Sequence, residues 1–208
     1  MKKLIDEIKM LKGSELKRTI DSRIREFIAA GKRQSNDIFK ELCFCILTAN
    51  FNAERSIRIM DEAGDKFIYL SEKDMAKLLR KLGHRFPNMR AKFIVLARGY
   101  KDNIKQILQS MHSEHERRDW LVKNIKGLGN KEASHFLRNI GCIDCAIVDF
   151  HIVDLLMKYG LVKRKKPLSR RMYMEIEDLL RQLARRSGLN LAELDLYLWY
   201  KETGKVLK

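Results

Sequence analysis

The stretch KNIKGLGNKEASHFLRNIGCIDCAIVDFHIVD, residues 123–154, decides the fold. Gly127 and Gly129 bracket Leu128, a spacing typical of a tight turn that joins two helices. Glycine suits such a turn because it tolerates positive φ and lets other backbones approach closely. Apolar residues recur at helical spacing on both sides of the turn. The pattern predicts a helical hairpin, and an ordinary structural hairpin would satisfy it.

Two charged residues add a chemical signal to this hairpin. Lys131 stands two residues after the second glycine, and Asp149 follows an apolar segment and precedes another helical run. The default role of an aspartate in that position is to cap a helix. The turn can bind phosphate, because it exposes main-chain N–H groups and the next helix offers its positive end. A lysine beside such a turn can add a contact to the phosphate or can simply be solvated. These residues alone leave open a phosphate contact, a solvated lysine and an ordinary structural hairpin.

Several segments carry a resemblance to a known family. GLGNK at 127–131 and VDFH at 148–151 resemble, in order and spacing, the helix-hairpin-helix and catalytic aspartate of the base-excision DNA glycosylase superfamily. Among its branches, the chain is most similar to the short archaeal-type 8-oxoguanine DNA glycosylase/lyases, over nearly its whole length. Further segments agree with this branch: CFCILTANF at 43–51, LGHRF at 82–86, KEASHFLRN at 131–139, LDLYLWY at 194–200 and GKVLK at 204–208.

The resemblance implies a catalytic role for Lys131 and Asp149. Lys131 would be the nucleophile, provided that its position at a helix start and its partial burial make a neutral amine available. Asp149 would stabilise positive charge on the sugar and assist deprotonation of the amine, which is compatible with capping a helix. A lysine that only contacts phosphate is the alternative for Lys131. The presence of both residues favours the catalytic interpretation.

Other positions are expected to contact DNA. The resemblance places Asn50 in the space that a flipped base vacates, and Phe86 suits an apolar wedge between base steps, with core packing as its alternative. His151 would contact a phosphate or serve as a structural histidine, and the same alternative holds for His135. The basic run KRKK at 163–166 is a solvated charge run or a backbone contact.

Base recognition is expected at the far end of the chain. Trp199 supplies a large face for stacking, although packing between helices would also explain it. In the resembling branch the C-terminus reaches the base pocket, which would bring Lys208 to the lesion. Oxidation gives guanine a new ring N–H, so the pocket must supply an acceptor such as a carbonyl or a carboxylate.

The resemblance also implies a cation site at the hairpin. Its main-chain carbonyl groups bind a monovalent or similar ion that helps to hold a phosphate. By position, these carbonyls would belong to Lys123, Ile125 and Leu128. Backbone ligands leave no side-chain pattern, so this assignment rests on the resemblance alone.

The sequence is strongly basic, with a formal net charge of +16 at pH 7 over 208 residues. Such an excess favours a polyanionic partner, because basic side chains that neutralise phosphates release condensed counterions. A basic protein without such a partner would have the same composition. No segment is long and apolar enough to span a membrane, and no signal peptide precedes the first predicted helix. Composition alone therefore favours a nucleic acid partner for an intracellular, cytoplasmic protein, and the resemblance implies that this partner is double-stranded DNA containing 8-oxoguanine.

The four cysteines are expected to be structural thiols. A metal or redox site is the alternative for Cys142 and Cys145, which are separated by two residues. Cys43 and Cys45 point in different directions from a helical run and make a poor chelate, and free cysteine commonly packs as a small hydrophobe. Some relatives carry a four-cysteine iron–sulfur loop near the C-terminus. Here the last cysteine is Cys145, so we expect no iron–sulfur cluster and no other cofactor.

Helical spacing throughout the chain predicts an all-α fold. The almost wholly apolar run 38–48, capped by Ser35 or Asn36, is predicted to be the buried central helix. Ser71 with Asp74 predicts a capped helix start, and Pro87 predicts the first turn of another helix. The family has two helical subdomains with the active site in the cleft between them. We expect a monomer with a central bundle at 33–140, which ends in the helix-hairpin-helix at about 116–140, and a second bundle built from 1–32 and 141–208.

The expected function is therefore a bifunctional repair enzyme. It would flip out and excise 8-oxoguanine through a lysine Schiff base and then cut the strand by β-elimination. Two alternatives remain: a glycosylase of the same fold that acts on oxidised pyrimidines, and a non-catalytic helix-hairpin-helix DNA-binding module.

Overall fold

The computed structural model describes residues 1–163 and 168–207, and all regular elements in these ranges are helical. The predicted all-α fold is confirmed. None of the helices in the described ranges is long and apolar enough to cross a lipid bilayer. In chain order the α-helices are α1 Lys2–Lys12, α2 Leu16–Lys32, α3 Ser35–Thr48, α4 Ala53–Ala63, α5 Lys66–Tyr69, α6 Glu72–Lys81, α7 Pro87–Ala97, α8 Ile104–Gln109, α9 Glu114–Asn124, α10 Asn130–Asn139, α11 Phe150–Lys158, α12 Arg170–Ser187 and α13 Leu191–Thr203.

The central helix α3 is buried along nearly its whole length, as its apolar sequence predicts. It begins earlier than predicted, because Ser35 and Asn36 lie inside the helix and Gln34 is the extended residue before it. The Ser35 hydroxyl contacts the Gln106 side chain, with 3.3 Å between the oxygens, and does not cap the helix. A serine near a helix start is thus not always the cap, because a buried hydroxyl can instead hydrogen-bond to an acceptor on a neighbouring helix.

Other helix starts follow the predicted signals. The Ser71 hydroxyl accepts the Asp74 N–H at 3.1 Å before α6, and Pro87 opens α7. The short helix α5 was not predicted, because four residues are too few to show a helical period. It is held in place by Phe67, whose side chain is fully buried.

Two main hydrophobic clusters form the interior. The first draws on α3 to α10 and the segment that follows α10, from Ile38 to Cys145. The second combines α1 with residues from Ala146 to Leu198. A smaller cluster joins α2 to α13. The chain changes from the first cluster to the second between Cys145 and Ala146, immediately before the segment that leads to Asp149.

Candidate active site

A cleft of about 1350 Å³ brings the predicted site residues together. One wall is formed by the end of α3 and the start of α4, and another by the turn before α7. The start of α10, the segment before α11, α13 and the C-terminal tail complete it. The residues named from the sequence that line this cleft are Asn50, Phe86, Lys131, His135, Asp149, His151 and Trp199, whereas Gly127 and Gly129 lie outside its lining.

The two glycines of the hairpin have different roles. Gly127 has a φ of +93°, and a Cβ added there would lie 2.4 Å from Cδ2 of Phe93 on α7. Gly129 is extended, with a φ of −96°, and its N–H donates to the Glu132 carboxylate at 3.2 Å. The left-handed conformation and the close approach therefore both belong to Gly127, whereas Gly129 only precedes α10.

We expect Gly127→Ala to lower the free energy of unfolding by roughly 2–4 kcal/mol, because it combines a left-handed backbone with overpacking against Phe93. Urea denaturation would measure the loss. Gly129→Ala is the matched control and is expected to cost no more than about 1 kcal/mol, because its φ suits any residue and its nearest contact is the flexible Glu132 side chain. Equal losses in both variants would contradict this account of the turn.

Lys131 lies in the first turn of α10 and faces the cleft. Its side chain is 28% exposed, and its Nζ lies 3.5 Å from Oε1 of Glu132. The Glu132 carboxylate thus contacts both the amine and the N–H of Gly129. The amine is accessible from the cleft but remains in contact with a carboxylate that can accept a proton.

Asp149 caps α11, as the default interpretation of the sequence predicts. Its Oδ1 accepts the Ile152 N–H at 2.9 Å, which fixes the carboxylate at the positive end of the helix. The other carboxylate oxygen is not needed for this cap. Asp149 lines the same cleft as Lys131, so the capping role and a role in the cleft coexist.

The irregular segment before Asp149 is held by side chains from α9 and α12. Both oxygens of Glu114 accept backbone N–H groups, those of Ile143 at 2.9 Å and Asp144 at 2.6 Å. Farther along, the Ala146 N–H donates to Glu177 at 2.8 Å, and the Tyr173 hydroxyl donates to the Ala146 carbonyl at 2.7 Å. The backbone that leads to Asp149 is therefore fixed without belonging to a helix.

Glu177, which accepts the Ala146 N–H, is ionised although it is buried. Burial opposes its ionisation, but the Arg118 guanidinium and the Ala146 N–H hold the pKa of the Glu177 carboxyl below its ordinary value. Both members of the ion pair are almost fully buried, and Arg118 Nη2 lies 3.1 Å from Glu177 Oε1. A buried pair of this kind is costly to break, because loss of Arg118 would leave Glu177 with weaker contacts to His115 at 3.2 Å and Arg181 at 3.4 Å.

In addition to Asp149 and Glu132, the structure places in the cleft a carboxyl group that the sequence did not single out. Asp195 on α13 pairs with Arg138 on α10 at 2.7 Å, and both line the cleft. Burial raises the pKa of Asp195 to about 6, the Asp149 carboxylate adds to the rise, and Arg138 and Lys131 oppose it. The charges of Lys131 and Asp149 thus act on the same buried group. No motif marks a pair whose members are 57 residues apart.

Asn50 and Phe86 lie on two turns at the cleft. Asn50 is exposed directly after α3, and its φ of +56° is the single positive value at a non-glycine residue in the described ranges. Asparagine adopts this conformation more readily than most residues. Phe86 is half-buried before Pro87, with the Arg85 guanidinium 5.0 Å from its ring centroid.

His151 and Trp199 form an aromatic group in the cleft. The edge of one ring meets the face of the other, with centroids 5.1 Å apart, and the exposed Phe150 ring lies 4.0 Å from His151. Nε1 of Trp199 is buried without a hydrogen-bond partner among the described residues. Lys208, like residues 164–166 of the basic run, lies outside the described residues.

The four cysteines are free and buried in the first hydrophobic cluster. Burial raises the pKa of the Cys142 thiol to about 12 and also raises the pKa values of Cys43 and Cys145. Metal ligation and redox chemistry both use the thiolate, which this burial disfavours. In the described ranges no three His, Cys, Asp or Glu side chains are arranged to hold a metal ion.

Comparisons with known proteins agree with this architecture. Residues 20–189 match the family model described as 8-oxoguanine DNA glycosylase. An 8-oxoguanine DNA glycosylase/AP lyase of Korarchaeum cryptofilum is 53% identical over 206 residues, which cover 99% of this chain and 98% of that protein. The crystal structure of the Methanocaldococcus jannaschii 8-oxoguanine glycosylase/lyase in complex with a 15mer DNA containing 8-oxoguanine is 51% identical, with a TM-score of 0.96 and 99% of each chain covered.

A bacterial structure is similar over the same length. The crystal structure of the 8-oxoguanine DNA glycosylase of Thermotoga maritima is 40% identical, with a TM-score of 0.93, and covers 100% of this chain and 99% of that one. Identity and coverage of this size extend over both hydrophobic clusters and every wall of the cleft. The chain therefore belongs to the helix-hairpin-helix family of 8-oxoguanine DNA glycosylases, as the sequence resemblance predicted.

Proposed function

We propose that this protein excises 8-oxoguanine from double-stranded DNA and then cuts the strand at the resulting abasic site. The observation that carries the proposal is the presence of Lys131 and Asp149 in one cleft, directly after a hairpin suited to a DNA backbone. Binding alone needs neither an accessible amine nor a carboxylate beside it. The relatives named above bear the corresponding activity in their names.

The chemistry begins with the neutral amine of Lys131. Its nitrogen attacks the anomeric carbon of the deoxyribose, the bond to the base breaks, and the base leaves with the electron pair and takes up a proton. Asp149 stabilises the positive charge that develops on the sugar. Glu132, 3.5 Å from Nζ, and Asp149 are the carboxylates available to take the proton of the attacking amine. Opening of the sugar ring then gives a Schiff base between Lys131 and the sugar.

Strand cleavage follows from that Schiff base. The iminium acidifies the 2′ proton, a base in the cleft removes it, and the 3′ phosphate leaves by β-elimination. Hydrolysis releases Lys131 for the next turnover. Both steps use the same amine, which accounts for excision and strand cleavage in a single cleft.

Recognition of DNA uses residues around this centre. Gly127 and Gly129 bring the hairpin to the phosphate backbone, and the start of α10 faces the same side with its positive end. Asn50 fills the vacated position, Phe86 enters the stack, and His151 contacts a phosphate. Trp199 stacks on the flipped base, and the family resemblance assigns Lys208, which lies outside the described residues, to base recognition. The unpartnered Nε1 of Trp199 supports an acceptor on the ligand side of this pocket.

The reaction needs no redox or iron–sulfur cofactor, because amine and carboxylate groups perform every step. A monovalent cation at the hairpin would be held by the carbonyls of Lys123, Ile125 and Leu128. The Ile125 carbonyl accepts the Leu128 N–H at 3.3 Å and keeps a second lone pair for an ion. Such an ion would hold a phosphate against the turn.

The two main hydrophobic clusters support two bundles, for which we propose the bounds 33–140 and 1–32 with 141–208; Cys142 and Cys145 pack in the first cluster, and α2 packs on α13 in the third. The protein would act as a monomer, because one copy of the cleft contains Lys131, Asp149 and the proposed DNA contacts Asn50, Phe86, His151 and Trp199. We place it in the cytoplasm, beside the chromosome, where its DNA substrate lies.

A panel of duplexes that each carry one lesion tests the substrate. We expect borohydride trapping and strand cleavage on 8-oxoguanine opposite cytosine, and rates at least about tenfold lower on thymine glycol. Equal or faster cutting of thymine glycol would favour a glycosylase for oxidised pyrimidines. Tight binding to intact duplex without release of any base would favour a non-catalytic DNA-binding module.

A further inference from the structure

The turns that carry Asn50 and Phe86 are joined by one buried histidine. His84 lies in the turn before α7, and its Nδ1 accepts the Phe86 N–H at 3.0 Å. Its Nε2 lies 3.0 Å from the carbonyl oxygen of Leu47, in the last turn of α3. The Phe86 N–H can only donate and the Leu47 carbonyl can only accept. The imidazole must therefore carry its proton on Nε2 and be neutral.

The environment of His84 keeps the ring in this state. Burial lowers the pKa of His84, the nearby Arg90 lowers it further, and the bond to Leu47 opposes them. Protonation of Nδ1 would replace the acceptor with a donor and break the bond to Phe86. A neutral ring therefore preserves both hydrogen bonds at neutral pH.

Both neighbours of Asn50 are fastened to the same segment. The Ala49 carbonyl accepts from Nη2 of the buried Arg90 at 2.5 Å. The Phe51 ring packs on the His84 ring, with centroids 4.2 Å apart. Asn50 is exposed between these two anchored residues. Arg90 also lies 5.9 Å from the Phe86 ring centroid, so it contacts both turns.

We propose that His84 is a positioning residue that locks the Phe86 turn to the Asn50 turn, so that the two side chains enter the duplex as one rigid unit. This inference rests on the proposed DNA contacts of Asn50 and Phe86. Inserting a side chain into stacked bases meets resistance, and a wedge on a loose turn yields instead of opening the stack. A lock between the turns transmits the insertion of Phe86 to Asn50.

Two substitutions separate the two hydrogen bonds of His84. Glutamine can donate to the Leu47 carbonyl from its terminal amide, but it has no acceptor at the position of Nδ1. Asparagine can accept the Phe86 N–H with its amide oxygen, but it does not reach Leu47. If His84 acts by joining the turns, either variant breaks the connection.

The test is a double-mutant cycle between His84→Gln and Phe86→Ala, read as the single-turnover excision rate on a duplex with 8-oxoguanine opposite cytosine. We expect Phe86→Ala to slow excision about tenfold and His84→Gln about fivefold. In the Phe86→Ala background, His84→Gln is expected to have less than about a twofold effect. At a preformed abasic site no base has to leave the stack. We therefore expect His84→Gln to slow strand cleavage at such a site less than it slows excision.

The outcomes distinguish this inference from the proposed function. If Phe86→Ala slows excision and His84→Gln slows it by the same factor in both backgrounds, His84 is only structural and the inference is wrong. If Phe86→Ala has no effect, the wedge assignment itself fails, and the lock fails with it. Should His84→Gln not fold, the same cycle with His84→Asn applies, and an effect that persists without Phe86 would again overturn the lock.

Discussion

Lys131→Gln is expected to abolish borohydride trapping on 8-oxoguanine DNA and to lower the rate of strand cleavage by about 1000-fold or more. The covalent intermediate requires a primary amine, which glutamine lacks. The fold should not suffer, because Lys131 lies in the first turn of α10. A cation there opposes the helix dipole, so a neutral side chain is tolerated equally well.

The control for charge is Lys9→Gln, an exposed residue on α1 that lies away from the cleft lining. Both variants lower the net charge by one, so an effect of net charge alone on DNA affinity would be similar in the two. Affinity for a duplex with a non-cleavable abasic analogue, measured by fluorescence anisotropy, separates binding from chemistry. Trapping of Lys131→Gln at the wild-type yield would show that another amine is the nucleophile.

Asp149→Asn is expected to slow excision by about 100-fold or more without a measurable loss of stability. Asparagine caps a helix about as well as aspartate, so the bond from the Ile152 N–H is kept while the charge is lost. The positive charge that develops on the sugar then has no carboxylate beside it. Single-turnover excision and urea denaturation measure the two effects separately.

Asp149→Ala provides the contrast, because it removes both the charge and the cap. We expect it to be as slow as Asp149→Asn and, in addition, to lose about 1 kcal/mol in the free energy of unfolding. An Asp149→Asn enzyme within about threefold of the wild-type rate would restrict Asp149 to the capping role.

The local part of this structure could be read from the sequence. The turn at Gly127, the cap at Asp149 and the start of α7 at Pro87 each depend on a few adjacent residues, so the residue types and their spacing predict them. The family resemblance then identified Lys131 as the candidate nucleophile. The structure contains these local features as predicted, because each depends only on residues that are adjacent in the sequence.

The parts that could not be predicted depend on residues far apart in the chain. Arg118 and Glu177 are separated by 59 positions, and Arg138 and Asp195 by 57. Each of these residues has the sequence context of a charged residue on a helix surface, and only the packing of helices converts it into a buried pair. The predicted Ser35 cap was wrong for the same reason. The Ser35 hydroxyl donates to the side chain of Gln106 on α8, which is far away in the sequence.

The support of the segment before Asp149 also determines when a newly made chain becomes able to act. Translation delivers the hairpin, Lys131 and Asp149 before Tyr173 and Glu177, which hold the backbone at Ala146. A nascent chain that ends before α12 has the DNA-binding turn but lacks the partners that set the direction of the carboxylate. Because synthesis proceeds from the N-terminus, Tyr173 and Glu177 are the last part of this support to be made. We expect a chain truncated before α12 to be unable to cut DNA, so competence for cleavage requires the synthesis of α12.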